Sequence, residues 1–214
     1  MCFSEKASII TFFIGLIGSI LCISLGSLDD KIIGYFFAFV SCMQLIEFLL
    51  WRHQKCDNYN RFLSISGMIL NHLQPIVLGF IIYMLNKNIR YRYIFYISLF
   101  IYLFVMIPYS IQFLMIPQLQ CTLKDKSTHL KWYWNNLKYG VLVYTIFLLT
   151  ICILCIVGFP NFKTGIFMAF FGVLSFLLSL YFYKSIYIGA LWCYFVVLFP
   201  IVYYLYKKFI SNIL

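Results

Sequence analysis

Acidic side chains are scarce in this chain. Six Asp and Glu occur in 214 residues, and charged residues of both signs make up 10% of the total, against about 25% in an ordinary soluble domain. A chain so poor in charge cannot hydrate the surface of a soluble core. Proline is held to five residues, and no Asn-x-Ser/Thr sequon occurs. No Gly-rich phosphate loop, serine nucleophile elbow, HxxxH or HExxH is present either, which removes the phosphate-loop, elbow-hydrolase and helical zinc-protease readings.

What is present is apolar: 64% of the residues are hydrophobic and 21% are aromatic. In water that excess would lie on the surface as patches larger than a monomer tolerates, whereas in lipid an all-round apolar helix is stable. A helix needs about 20 apolar residues to cross the hydrocarbon layer. Seven runs qualify: 8–27, 32–51, 62–85, 93–116, 139–159, 164–183 and 186–206. Strands of a membrane barrel alternate in polarity over about 10 residues, and these unbroken runs do not. The expected fold is therefore all-α, a polytopic transmembrane bundle of seven spans in one domain, with its termini on opposite faces.

The first run is longer than the 7–15 residue apolar core of a signal peptide, and its flank carries Glu5 beside Lys6. It reads as a span, although Ser24-Leu25-Gly26 could mimic a cleavage site. The one long connection, 117–138, carries Trp132, Tyr133 and Trp134 beside Lys131 and Lys138. Amphipathic aromatics next to lysines are what the headgroup layer selects, so a short interfacial helix is expected there.

The net charge of +10 is spread over the loops, with no basic face for nucleic acid. Nine Lys and Arg fall on the N-terminal side of the spans and seven on the other, so they set no orientation. Cysteines are more informative. Cys2, Cys56 and Cys121 fall on the N-terminal side, whereas Cys22, Cys42, Cys152, Cys155 and Cys193 lie within spans, where free thiols pack as small apolar groups. If the N-terminal side faces an oxidising compartment, two of the three loop cysteines can pair; the expectation is an exoplasmic N-terminus and a Cys2–Cys121 bridge.

An internal repeat emerges on self-comparison. LCISLGSLDDKIIGYFFAFVS (21–41) aligns with LCIVGFPNFKTGIFMAFFGVLS (154–175), matching Cys22 with Cys155, Gly34 with Gly165 and Phe39 with Phe170. Farther on, Leu-Gln-Pro-Ile-Val (73–77) matches Leu-Phe-Pro-Ile-Val (198–202). Two three-helix units around a fourth span would make a three-one-three arrangement. In length, span count and repeat the chain resembles the PQ-loop and sugar-exporter type of small transporter. Its Pro117-Gln118 and Gln74-Pro75 depart from that family's motif, so the resemblance implies architecture alone. The beginning, Met1-Cys2-Phe3-Ser4 with Ala7-Ser8 and then Gln44-x-x-Glu47-x-x-x-Trp51, is similar to multi-span families of bacteria and large DNA viruses. That resemblance implies a membrane location and no chemistry.

Glu47 is the acidic residue expected inside a span. An ionisable group there costs about 2.5–3.5 kcal/mol and faces a cavity or a partner. Gln44 and Trp51 share its helix face at i, i+3, i+7 spacing. A second stripe runs through Ser64, Gly67, Asn71 and Gln74, with His72 a third of a turn away and Pro75 removing a backbone donor. Tyr109 and Gln112 add polarity to the same half of the membrane. Each of these has a bland reading as helix glue, or as an anchor snorkelling toward Arg52. Ala7, Thr11, Gly15 and Ser19, at four-residue steps, read as a packing stripe.

Three histidines, His53, His72 and His129, lack metal-site spacing, so no metal, cofactor or catalytic residue is assigned. Seven-span hydrolases of the ceramidase type need histidines with Ser and Asp, and a retinal protein needs a lysine inside its last span; neither is met. The features fit a small-solute or ion transporter, or a channel-like bundle, whose ligand-binding pocket is lined by Gln44, Glu47, Ser64, Asn71, His72, Gln74 and Gln112. Its expected partners are the bilayer, a small solute or ion, and a second copy of the chain. Two other classes stay open: a membrane-embedded enzyme acting on lipid, and a structural or viral-envelope scaffold.

Overall fold

Ser4 starts the first helix, its hydroxyl accepting a hydrogen bond from the Ala7 amide at 3.1 Å and so satisfying one of the orphan donors of the first turn. From there a computed structural model describes residues 4–124, 129–182, 192 and 195–210. Helix α1 (Glu5–Leu25) ends at Gly26, whose φ of 91° only glycine adopts freely. Ser27 at once begins α2 (Leu28–Arg52), with a capping box closed by Asp30. Asp57 caps α3 (Asn58–Leu85), accepting from the Tyr59 and Asn60 amides at 3.1 and 3.0 Å. The Asn60 amide first, and then His53 at 2.7 Å, hold the Asp57 carboxyl below its ordinary range. Helices α4 (Arg92–Leu114), α5 (Gly140–Gly158) and α6 (Phe162–Phe182) follow. A short α7 (Phe199–Leu205) runs into a π turn over Tyr206–Ile210.

Six helices, α1 to α6, are long and apolar enough to cross a bilayer. Among the described residues the only strand-like pairing is one bridge, Lys124 to Leu130. The outward faces are as apolar as lipid requires: Phe100, Phe104 and Val141 are 70%, 73% and 83% exposed. At their N-terminal ends α1, α2 and α3 run past their apolar stretches because Ser4, Ser27 and Asp57 cap them. The run 32–51 thus becomes a helix that includes Asp29, Asp30 and Arg52. Of the seventh run, 186–191, Cys193 and 194 lie outside the described residues.

Lipid supplies no hydrophobic force between helices, so the bundle relies on close backbone approach. The packing stripe read from α1 serves that purpose. A Cβ on Gly15 would overlap Ser41 of α2 and Val197, and one on Gly18 would stand 2.8 Å from the Ile201 nitrogen. Gly34 of α2 sits against the Ser19 carbonyl in the same way, at 2.7 Å from its ideal Cβ. Ser19 and Ser41 return their hydroxyls to carbonyls four residues back, at 2.7 Å each, so the polar atoms at this seam are satisfied.

The C-terminal segment closes the bundle. Phe199 is fully buried and packs on Phe37 of α2 and Phe171 of α6 with centroids 5.1 and 4.9 Å away. Trp192 packs on Phe147 of α5 at 5.3 Å and Phe176 of α6 at 6.0 Å. Contacts from Gly15–Val197 through Gly18–Ile201 to Ser27–Lys207 show this segment running parallel to α1. It ends at a buried ion pair that sequence reasoning did not anticipate. The Asp30 carboxylate, 1% exposed, accepts from Lys207 Nζ at 2.7 Å and the Tyr203 hydroxyl at 2.8 Å.

On the opposite face the 115–139 connection folds inward. The expected interfacial helix is replaced by two 3₁₀ turns, Pro117–Leu119 and Tyr133–Asn136. Trp132 and Trp134 turn into the protein: both are 1% exposed, with rings tilted by 52° and centroids 4.2 Å apart, over Gly67 of α3 and beside Phe113 of α4. Aromatic burial there outweighs an interfacial position because glycine leaves a recess for both rings. The loop is pinned by Asn60, whose side chain donates to the Thr122 carbonyl at 3.0 Å and accepts from the Thr122 amide at 2.9 Å. A disulfide joins Cys56 to Cys121 with Cα atoms 5.5 Å apart. The expected pairing of Cys121 with Cys2 is thereby corrected, and Cys2 lies outside the described residues.

Two measurements follow from these anchors. Cys56→Ser is expected to lower the thermal midpoint, with a loss of about 2–4 kcal/mol because the bridge closes a long loop; alkylation of both thiols in unreduced protein would show the bridge absent. Asp30→Ala strands Lys207 and Tyr203 and is expected to cost about 1–3 kcal/mol, read as a lowered midpoint that an added Lys207→Met partly restores. A variant as stable as the parent would remove the ion pair from the folding argument.

Candidate functional site

Of the polar residues expected to line one pocket, all but Gln112 are buried, between the middle of the bundle and its N-terminal face. Helices α1 and α2 are antiparallel, with Gly15 against Ser41 and Gly34 against Ser19, and that register brings Ser8 level with Glu47. The Asn60–His53 hydrogen bond of 2.9 Å fixes α3 against α2 in the same way and brings Gln44 near the level of Asn71. Ser8, Gln44, Glu47 and Gln74 are at most 2% exposed, and Asn71 and His72 are 4% exposed. Gln44, Glu47 and Trp51 do share the inward face of α2, as their spacing required.

Some of these groups are satisfied by protein and some are not. Ser8 Oγ, Gln44 Nε2, Gln74 Nε2 and Trp51 Nε1 are buried with no hydrogen-bond partner among the described residues. An unmet donor costs about 1–3 kcal/mol, and in lipid no bulk water offsets it. Arg52, the expected snorkelling partner of Glu47, instead meets Glu5 at 3.4 Å on the surface.

The other half of the predicted set belongs to two distinct networks. Ser64 donates to Asn60 Oδ1 at 3.3 Å and accepts from the Thr122 amide at 2.9 Å, so it anchors the loop. His72 bonds Ser110 of α4 through Nδ1 at 2.8 Å and Tyr144 of α5 through Nε2 at 3.1 Å. Asn71 donates to the same Tyr144 hydroxyl at 3.4 Å. The Tyr102 hydroxyl donates to the His72 carbonyl at 2.5 Å, and the Tyr109 hydroxyl donates to the Trp134 carbonyl. Thus Tyr102 and Tyr144 tie α4 and α5 to α3 at His72, while Tyr109 ties α4 to the loop, and of the three the sequence singled out Tyr109 alone. Gln112 is half-buried and joins neither network.

Two cavities flank this interior. One of about 200 Å³ lies between α3 and α4, is apolar apart from His72 and Ser110, and takes its other walls from residues such as Met68, Leu73, Met106 and Ile107. The other, of about 360 Å³, lies at the α3–α4 turn on the far face. Of the seven predicted pocket residues, His72 alone lines either one.

Sequence reading overlooked Cys152-Ile-Leu-Cys155, a CxxC pattern on α5. Both are free thiols within a span, and among the described residues no group of three His, Cys, Asp or Glu side chains is placed to hold a metal. Compared with known proteins, the chain matches no protein-family model, no curated protein and no solved structure.

Proposed function

We propose that this multi-pass membrane protein binds and moves a small solute or ion through the buried polar layer around Glu47. The observation that carries the reading is the set of unpartnered donors, Gln44 Nε2, Gln74 Nε2 and Ser8 Oγ, sealed inside an apolar bundle. Buried donors without a protein partner suit a ligand bearing oxygen acceptors, which would repay their desolvation. A carboxyl exchanging a proton between two faces is the simplest device for coupling such movement to protons, and Glu47, buried on α2, is the carboxyl assigned to it in this reading.

Topology supports the same picture. Six crossings return the chain to the N-terminal face at the end of α6, yet Lys207 bonds Ser27 and Asp30 on the opposite face. Parity then calls for a seventh crossing that ends near Lys207. The Cys56–Cys121 bridge, on the N-terminal face, favours an exoplasmic N-terminus, since disulfides persist in oxidising compartments. A three-one-three repeat draws support from two similar seams: Gly34 lies on the Ser19 carbonyl between α1 and α2, and Gly165 lies on the Cys155 carbonyl between α5 and α6.

A lipid-acting enzyme is the second reading, favoured by the Ser110–His72 hydrogen bond at the wall of a groove between α3 and α4. Ser110 also donates to the Met106 carbonyl at 2.9 Å, as a packing serine does. Covalent capture of Ser110 by a fluorophosphonate, with loss of fluoride, would favour this reading over transport.

In liposomes, Glu47→Gln is expected to keep the thermal midpoint and abolish the pH dependence of flux. Unchanged pH-dependent flux in that variant would overturn the assignment of Glu47 as the coupling group. Reporters fused to the two ends are expected to place the N-terminus outside and the C-terminus inside; finding both on one side would overturn the seventh crossing.

A further inference from the structure

The turn joining α3 to α4 carries three cations, Lys87, Arg90 and Arg92, and is tied to α5. Asn86, 5% exposed, donates to the Gly158 carbonyl of α5 at 2.8 Å, and its Oδ1 accepts from the Asn88 amide at 2.9 Å. The Arg90 amide donates to the Val157 carbonyl at 3.1 Å, so the turn is tied to the end of α5 at two points. Arg92 donates from Nη2 to the Lys87 carbonyl, which fixes its guanidinium across the turn.

Between these groups lies the cavity of about 360 Å³, whose charged lining is Lys87 and Arg92 and whose remaining wall includes Tyr83, Met84 and Tyr96. The acidic residues of this face, Asp29 and Asp30, are engaged elsewhere, by the Asn161 amide at 3.1 Å and by Lys207 at 2.7 Å. The cleft therefore has positive charge without a protein counter-ion in its wall. Tyr83, Met84 and Tyr96 are exposed, and Phe80 and Phe100 continue the apolar surface at 62% and 70% exposure, along the membrane-facing sides of α3 and α4.

A cationic head above an apolar track is complementary to one kind of molecule. We propose that this cleft binds the phosphate of an anionic phospholipid, with Lys87 and Arg92 on the phosphate, tyrosines at the glycerol level and the acyl chains along α3 and α4. Arginine and lysine at the membrane surface each add about 1 kcal/mol toward anionic lipid, or roughly 5-fold. A site on this face is also consistent with an exoplasmic disulfide face, because anionic lipid is concentrated in the cytoplasmic leaflet. The inference stands apart from the solute reading, since it uses neither Glu47 nor the polar layer.

The test uses the full chain purified in detergent, with phosphatidylglycerol or phosphatidylcholine added, read by native mass spectrometry and thermal midpoint. Phosphatidylglycerol is expected to be retained and stabilising, and phosphatidylcholine not. Lys87→Gln, whose exposed side chain holds no part of the fold, is expected to weaken retention about 5-fold, and Lys87→Gln with Arg92→Gln roughly 30-fold. Equal retention of both lipids, or an unaltered preference in the single variant, would overturn the site. Inorganic phosphate stabilising the protein as strongly as phosphatidylglycerol would overturn the assignment to lipid.

Discussion

Close backbone approach along α1 is the constraint on which the remaining architecture rests. Lipid does not squeeze helices together, so attraction between them comes from dispersion contacts and the few polar bonds they share. Gly15 and Gly18 let Ser41, Val197 and Ile201 reach the backbone of α1. Contact on both sides turns α1 into the element that α2 and the C-terminal segment share. From that seam Phe199 reaches across to α2 and α6, and Trp192 to α5 and α6. The first helix and the C-terminal segment thus pack together, and Asp30 with Lys207 fastens the junction at the far face.

The opposite face is organised by a different device. Disulfide, Asn60–Thr122 hydrogen bonds and a pair of buried tryptophans fold the long loop onto the ends of α2, α3 and α4. In a soluble protein such a loop would carry its own small core; here the core beneath it is the bundle itself, with Gly67 providing the recess. The polar layer lies below, so its most buried groups are separated from water by protein as well as by lipid. That separation makes the unmet donors of Gln44 and Gln74 notable, because a structural role would have matched each with a carbonyl, as Ser41 and Ser19 are matched.

Helical class, the positions of six spans and the packing stripe of α1 were legible in the chain, because each follows from local composition and a 3.6-residue period acting on one helix at a time. Glu47 and its companions on α2 were legible for the same reason. The His72 network was not. His72 and Asn71 stood out on α3, but Tyr144 and Ser110 sit in apolar runs where a tyrosine or serine is unremarkable, and only helix rotation brings their hydroxyls to the imidazole. Ser64 was placed on the right face yet given the wrong neighbours, since its partner Thr122 arrives from 58 residues away.

By itself, then, the sequence determined that the chain is helical, apolar on its outer faces and threaded repeatedly through a bilayer, since those properties depend on residue type and spacing within a segment. It also singled out Glu47, because one carboxylate in an apolar run is costly wherever the helix is placed. Tertiary structure alone decided which cysteines pair, that Trp132 and Trp134 turn inward, that Asp30 meets Lys207, and which polar groups are left without partners. Each of those outcomes depends on the distance between atoms far apart in the chain, and no local pattern encodes that distance.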